Sequence, residues 1–347
     1  MTDEMYKRLN NYLNDIFLEL NKEDKIFIDN LIPIWRLNYM IHDFTLKNIK
    51  KASSKSYQNN LSFNDVYLLA RNIINKINPN YLNEYDELIN TGKLDFNYES
   101  REGISSCSAY YTNVMGDRVT YNKTIDIYRN FNYEDVVILI HEFSHYTQNK
   151  IGGKKSFQYE FLTEFIAIYF EKISIKYLQE ENVPVKELNI NSRIISLLRN
   201  NHSFYMYGTI LLAYENLGDI NENTINDLKN IINIKDDSFE NECTIVLNKL
   251  DEISKLNNQK DSIKKMVNLV TIDYKYIVGT FLAYYALEHS KIEDMIDLND
   301  NINGKYSQLS IEEILNKVGI NIDEEMVNEA LDIIKKSIYN YQEGKVK

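Results

Sequence analysis

Two histidines and a glutamate in the stretch VVILIHEFSHYTQ have the types and spacing of a catalytic metal site. His141 and His145 are four residues apart, a spacing that puts both imidazoles on one face of an α-helix. Their ring nitrogens could bind one tetrahedral ion at about 2.0–2.1 Å. Glu142 lies beside them and is placed to remove a proton from a water molecule on that ion. This HExxH arrangement is typical of zinc peptidases and predicts one Zn²⁺ as the cofactor.

The alternative is that two polar residues share a helix face by coincidence. The chain holds only five histidines, so a pair at this spacing around a glutamate is improbable by chance. The apolar run VVILI before the motif also supplies residues that can pack behind a buried site. The metal interpretation is therefore favoured, and His42 and His289 are interpreted as structural.

A third protein ligand is required, and no histidine follows within the next dozen residues. That absence excludes the extended histidine pattern of the metzincins. After a turn at the Gly-Gly pair, the next predicted helix offers Glu160, Glu164 and Glu171 on one stripe. Glu164 is preferred as the third ligand because it lies in the middle of the helix, and Glu171 suits a role in orienting a ligand histidine. Glu160 is more simply explained as a solvated residue.

Composition limits the class of partner. The chain of 347 residues has 39 basic and 51 acidic side chains, which gives a formal net charge of −12. This charge disfavours nucleic acid and anionic membranes as partners. Two cysteines are too few for a disulfide scaffold. The first residues lack the features of a secretory peptide, and the longest apolar stretch is shorter than the roughly 20 residues of a membrane span. We therefore expect a cytoplasmic protein.

The elements that must position these residues are mostly helical. Three prolines and eleven glycines leave long segments with apolar residues spaced by three and four. Helices are predicted at 3–21, 23–50 and 63–77, the last capped by Ser62 or Asn64. Alternating β-branched and aromatic residues on both sides of MGDR predict a β-hairpin over 104–129. The predicted fold class is thus mainly α with a small β-sheet (α+β).

The domain organisation follows from these elements. Residues 1–103 are predicted to form a helical N-terminal lobe, and residues 104–347 a catalytic region. Within the catalytic region, the hairpin is followed by the HExxH helix over 133–150, the ligand-glutamate helix over 157–178 and further helices to the end.

HEFSH followed by EFIAIYFE resembles the zinc metallopeptidase family of thimet oligopeptidase and oligoendopeptidase F, in which HExxH precedes a ligand glutamate and a second glutamate seven residues later. Glu164 and Glu171 match that pair. The strand-turn-strand before the motif, the tyrosine-rich DYKYIVGTFLAYYAL and the tail around Gly319 are also similar to the family. The resemblance covers roughly residues 104 to 335.

The resemblance implies a zincin-like (gluzincin) fold with helical lobes flanking a substrate channel, and zinc-dependent cleavage of short peptides. It also implies that Tyr276, with Tyr274, donates hydrogen bonds to the oxyanion of the reaction. Core packing is the alternative role of both tyrosines. His202 is a candidate for the histidine that the family places before its tyrosines, although a lone histidine is more often a packed or capping residue.

The chain departs from the family in three respects. Ser144 stands where the family has glycine, SIKKMVNLVTID contains no histidine, and the chain is shorter than the family's usual members. Two other functions therefore stay open. One is a non-catalytic peptide-binding or regulatory protein that retains the zinc-peptidase fold, and the other is a protease dedicated to a single protein or peptide. The sequence does not indicate an oligomeric state.

Overall fold

The computed structural model describes residues 60–97, 105–114, 118–148, 157–183, 275–276, 278–302, 304–306, 308–321 and 323–342. The helices predicted at 3–21 and 23–50 lie outside the described residues, and so do Tyr274, His202 and His42.

The described part of the chain begins with two helices that pack beneath the HExxH motif. Helix α1 covers Phe63–Ile77, and its N-cap is Ser62, which forms a capping box with Asp65. This helix coincides with the predicted range 63–77. A short 3-10 turn at Pro79–Tyr81 then leads into helix α2, Leu82–Asn90.

Within the described residues, three strands form one mixed sheet in the order β1-β3-β2. Strands β2 (Ser106–Val114) and β3 (Arg118–Tyr128) are antiparallel and occupy the range of the predicted hairpin. Strand β1 (Leu94–Asn97) is parallel to β3. It was not predicted, and it lies within the lobe that the sequence indicated to be helical. The alternation of Leu94 and Phe96 was the available signal, but four residues are too few to distinguish from a loop.

Two central helices carry the motif residues. Helix α3 covers Glu134–Thr147 and helix α4 covers Phe157–Glu180. Helix α3 ends three residues before the predicted position 150, because Gln148 has a non-helical backbone with ψ of 113°. The chain before α3 is held by Asp135, whose carboxylate accepts hydrogen bonds from the backbone N–H groups of Asn130 and Phe131.

The described residues from 275 onward add four more helices to this core. Helix α5 covers 278–289, with residues 275 and 276 also helical, and α6, α7 and α8 cover Ile292–Asn301, Ile311–Lys317 and Glu324–Gln342. Buried residues from all these parts form a single hydrophobic cluster. Packing crosses the boundary predicted at residue 103, since the rings of Tyr85 and Phe143 meet edge to face at 5.2 Å.

The architecture is mainly helical with a small sheet, which confirms the predicted fold class. Among the described residues, no helix combines the length and apolar character that crossing a membrane would require.

Candidate metal centre

The two motif helices bring together three side chains that could bind a metal ion. Helix α3 packs directly on α4, and His141 and Glu164 are each only 7% exposed. Helix α4 is buried on every side between Phe161 and Lys172. Its glutamates therefore cannot be sorted by an amphipathic pattern, and only the packing shows which of them faces α3.

Glu164 faces the two histidines. Its Oε2 atom lies 3.6 Å from Nε2 of His141 and 3.8 Å from Nε2 of His145. One ligand atom from each of the three residues falls within 4.8 Å of the other two. The imidazole rings are 5.0 Å apart and nearly perpendicular. These distances leave room for one ion that all three side chains could bind after small movements.

Gln148 determines which nitrogen of His145 faces Glu164. The amide Nε2 of Gln148 donates to the carbonyl of Thr163, and a carbonyl can only accept. The amide oxygen must therefore face Nδ1 of His145, at 3.3 Å. That nitrogen carries the hydrogen, so the lone pair of the neutral ring is on Nε2, toward Glu164.

Glu171 performs the same function for His141. Its Oε2 is 3.4 Å from Nδ1 of His141, so a proton on Nδ1 leaves the Nε2 lone pair toward Glu164. On the other side of Glu171, Nζ of Lys172 lies 3.7 Å from Oε1. The structure thus places Glu171 where the sequence suggested an orienting residue.

The chemistry of the three facing atoms fits a cation. With both imidazoles neutral, two lone pairs and a carboxylate oxygen point at one another with no hydrogen between them. Oε2 of Glu164 is buried and has no hydrogen-bond partner within the described part of the chain. Burying a charged oxygen in this way costs free energy unless a cation lies next to it. The donors present therefore suit a divalent metal ion.

Glu142 lies beside this group without belonging to it. Burial raises the pKa of its carboxyl group, and the nearby histidines oppose the increase. The backbone N–H of Cys107, near the start of β2, donates a hydrogen bond to the Glu142 side chain. The sheet therefore helps to orient the residue that the sequence predicts as the general base.

Ser144 is accommodated by a contact that the sequence did not predict. Its hydroxyl donates to Oδ1 of Asn299 on α6, so the side chain lies between two helices and takes part in their packing. Asn299 itself is fully buried.

In the tyrosine-rich segment, Lys275 contacts Glu164 of the candidate metal centre. Nζ of Lys275 lies 3.1 Å from Oε1 of Glu164 and 5.1 Å from the ring centre of Tyr276. The catalytic roles of Tyr276, Tyr274 and His202 stay predictions. Sequence reasoning missed Lys275, Gln148 and Asn299, and only Gln148, three residues after His145, carried a signal in its spacing.

Comparisons with known proteins support the fold. No family model matches the chain, and no curated protein matches its sequence. One solved structure is similar, described as "a putative oligoendopeptidase F from Bacillus anthracis str. Ames", with a TM-score of 0.50 and 13% sequence identity. The alignment covers 98% of this chain and 56% of that one, so this chain spans little more than half of its length. At this identity the likeness shows a shared zincin-like fold.

Proposed function

We propose that this protein is a zinc-dependent metalloendopeptidase that hydrolyses peptide bonds, with His141, His145 and Glu164 as the metal ligands. The convergence of three side chains from two helices, with His141 and Glu164 buried, His145 half-buried and an orienting partner behind each histidine, carries the proposal. The name of the structural neighbour, an oligoendopeptidase, supports a peptide as the substrate class.

When bound, a zinc ion would supply a Lewis acid for the peptide carbonyl and a lowered pKa for a water molecule. Glu142 accepts the proton of the attacking water at its carboxylate and passes it to the nitrogen of the leaving amine. Burial raises the pKa of Glu142, and this makes its carboxylate a stronger base than an exposed glutamate. Tyr276, the residue after Lys275 in the chain, is the candidate donor to the oxyanion.

Replacing the proposed base tests this function. Glu142→Gln keeps the shape of the side chain and the metal ligands but cannot accept a proton. We expect it to retain the metal and to lose peptide turnover by about 10²–10⁴-fold. Cleavage of a mixed peptide pool by mass spectrometry, together with elemental analysis of the purified protein, measures both quantities.

Glu312→Gln is the matched control, because Glu312 is exposed on α7, and its turnover should equal that of the wild type. Full activity of Glu142→Gln would contradict the proposal. Metal binding by the wild type without chelator-sensitive cleavage would support the non-catalytic alternative. Cleavage of one folded protein but not of the pool would indicate a dedicated protease.

A further inference from the structure

The two carboxylate oxygens of Glu164 have different neighbours. Oε2 faces the two histidines and has no hydrogen-bond partner among the described residues. Oε1 faces Nζ of Lys275 at 3.1 Å, and the lysine side chain is only 16% exposed. Because solvent screens such a pair only weakly, the ammonium is a strong and directional partner for Oε1.

The position of Lys275 is set by close packing of α5 on α4. Gly279, one helical turn after Lys275, lies against the backbone of Phe165, the residue that follows Glu164. A β-carbon at position 279 would meet Cδ1 of Ile168 at 3.1 Å and Cα of Phe165 at 3.4 Å. Residues four apart share a helix face, so the glycine contact directs Lys275 toward Glu164.

The binding mode of Glu164 matters for catalysis. A carboxylate can bind a metal through one oxygen or through both. A catalytic zinc site has three protein ligands and keeps the fourth position for water or substrate. Binding through both oxygens of Glu164 would add a fifth donor beside that water and would crowd the position that the substrate must reach.

We propose that Lys275 is a positioning residue that holds Oε1 of Glu164 away from the ion, so that the glutamate binds through Oε2 alone and the fourth position stays open. This role rests on the proposed metallopeptidase function.

Cobalt(II) is the probe for the test, because its visible absorption is stronger in four-coordinate than in five-coordinate sites. Lys275→Met removes the charge and keeps a side chain of similar length. We expect the Co²⁺-loaded variant to absorb more weakly than the wild type. We also expect its zinc form to lose turnover by about 10–100-fold, with the larger effect on kcat.

Lys76→Met is the matched control, since Lys76 forms a surface ion pair with Glu181 at 2.7 Å away from the site. Its Co²⁺ spectrum and turnover should equal those of the wild type, and circular dichroism of both metal-free variants checks their folding. An unchanged Co²⁺ band in Lys275→Met, with tighter metal binding, would show that the lysine only competes with the metal and would overturn the proposal.

The Co²⁺ spectrum of the wild-type protein distinguishes a failure of the proposed function from a failure of the role proposed for Lys275. A wild-type protein with a strong Co²⁺ band and no peptidase activity would contradict the function but leave the role of Lys275 to be decided by the variant's spectrum. A wild-type protein with no Co²⁺ band would contradict the metal centre, and this role of Lys275 with it.

Discussion

At the scale of single residues, the centre depends on which ring nitrogens face inward. Gln148 and Glu171 each hold the Nδ1 side of one histidine, which directs both Nε2 lone pairs toward Glu164. Side chains that lock a ligand in this way commonly affect metal affinity as much as catalysis. Gln148 is the more informative of the two, because its amide also holds α4 through the carbonyl of Thr163.

We expect Gln148→Leu to weaken metal binding by about 10–100-fold, because Nδ1 of His145 loses its acceptor and the ring can turn. Competition with a chromophoric chelator measures the dissociation constant. Gln179→Leu, at an exposed position of α4, is the control and should bind as the wild type does. An unchanged dissociation constant for Gln148→Leu would show that packing alone orients His145.

At the scale of elements, the carbonyl groups at the C-terminus of helix α3 need hydrogen-bond donors from outside the helix. The last carbonyl groups of a helix have no partners within it, and His145 lies in that final turn. Lys123 on β3 supplies the missing donors, because its ammonium donates to the carbonyls of His145, Tyr146 and Gln148. A positive charge at this end also interacts favourably with the helix dipole. The central strand of the sheet thus stabilises the helical turn that carries His145.

Lys123→Met should therefore lower the free energy of unfolding by about 2 kcal/mol, the range for buried hydrogen bonds to a charged group. Urea denaturation of the metal-free protein measures the change. Lys176→Met removes an exposed lysine of α4 and should leave stability within about 0.5 kcal/mol of the wild type. Equal stability of the two variants would mean that water satisfies these carbonyls equally well.

At the scale of the whole molecule, one buried amide joins parts that are distant in the chain. Nδ2 of Asn299 donates to the hydroxyls of Tyr81 and Thr147, at 3.1 and 2.8 Å, and its Oδ1 accepts from Ser144. The hydroxyl of Tyr81 donates onward to Asp300. The segment after α1, the HExxH helix and α6 are thereby connected beside the candidate metal centre.

Asn299→Leu should destabilise the fold by about 1–3 kcal/mol, since the buried Ser144 hydroxyl loses its acceptor and the hydroxyls of Tyr81 and Thr147 lose a donor. Thermal and urea unfolding of the metal-free protein test this, with Asn316→Leu at an exposed position of α7 as the control. Wild-type stability of Asn299→Leu would imply that the polar contacts contribute nothing beyond packing.

Local spacing was sufficient to predict a large part of this protein. The position of His141 and His145 on one helix face with Glu142 beside them, the capped helix after Ser62, the paired strands and the mainly helical class all follow from contacts within a few residues along the chain. Periodicity and capping preferences encode such contacts directly in the order of residue types.

Packing between distant segments decided the rest. One stripe of the sequence contains Glu160, Glu164 and Glu171. Because α4 is buried on all sides between Phe161 and Lys172, its pattern of apolar residues does not show which glutamate contacts α3. The approach of Lys275 to Glu164 and of Asn299 to Ser144 joins residues more than a hundred positions apart. No periodic pattern in the sequence predicts these contacts, because they depend on how whole helices pack together. A close approach such as that of Gly279 to Phe165 can determine the packing.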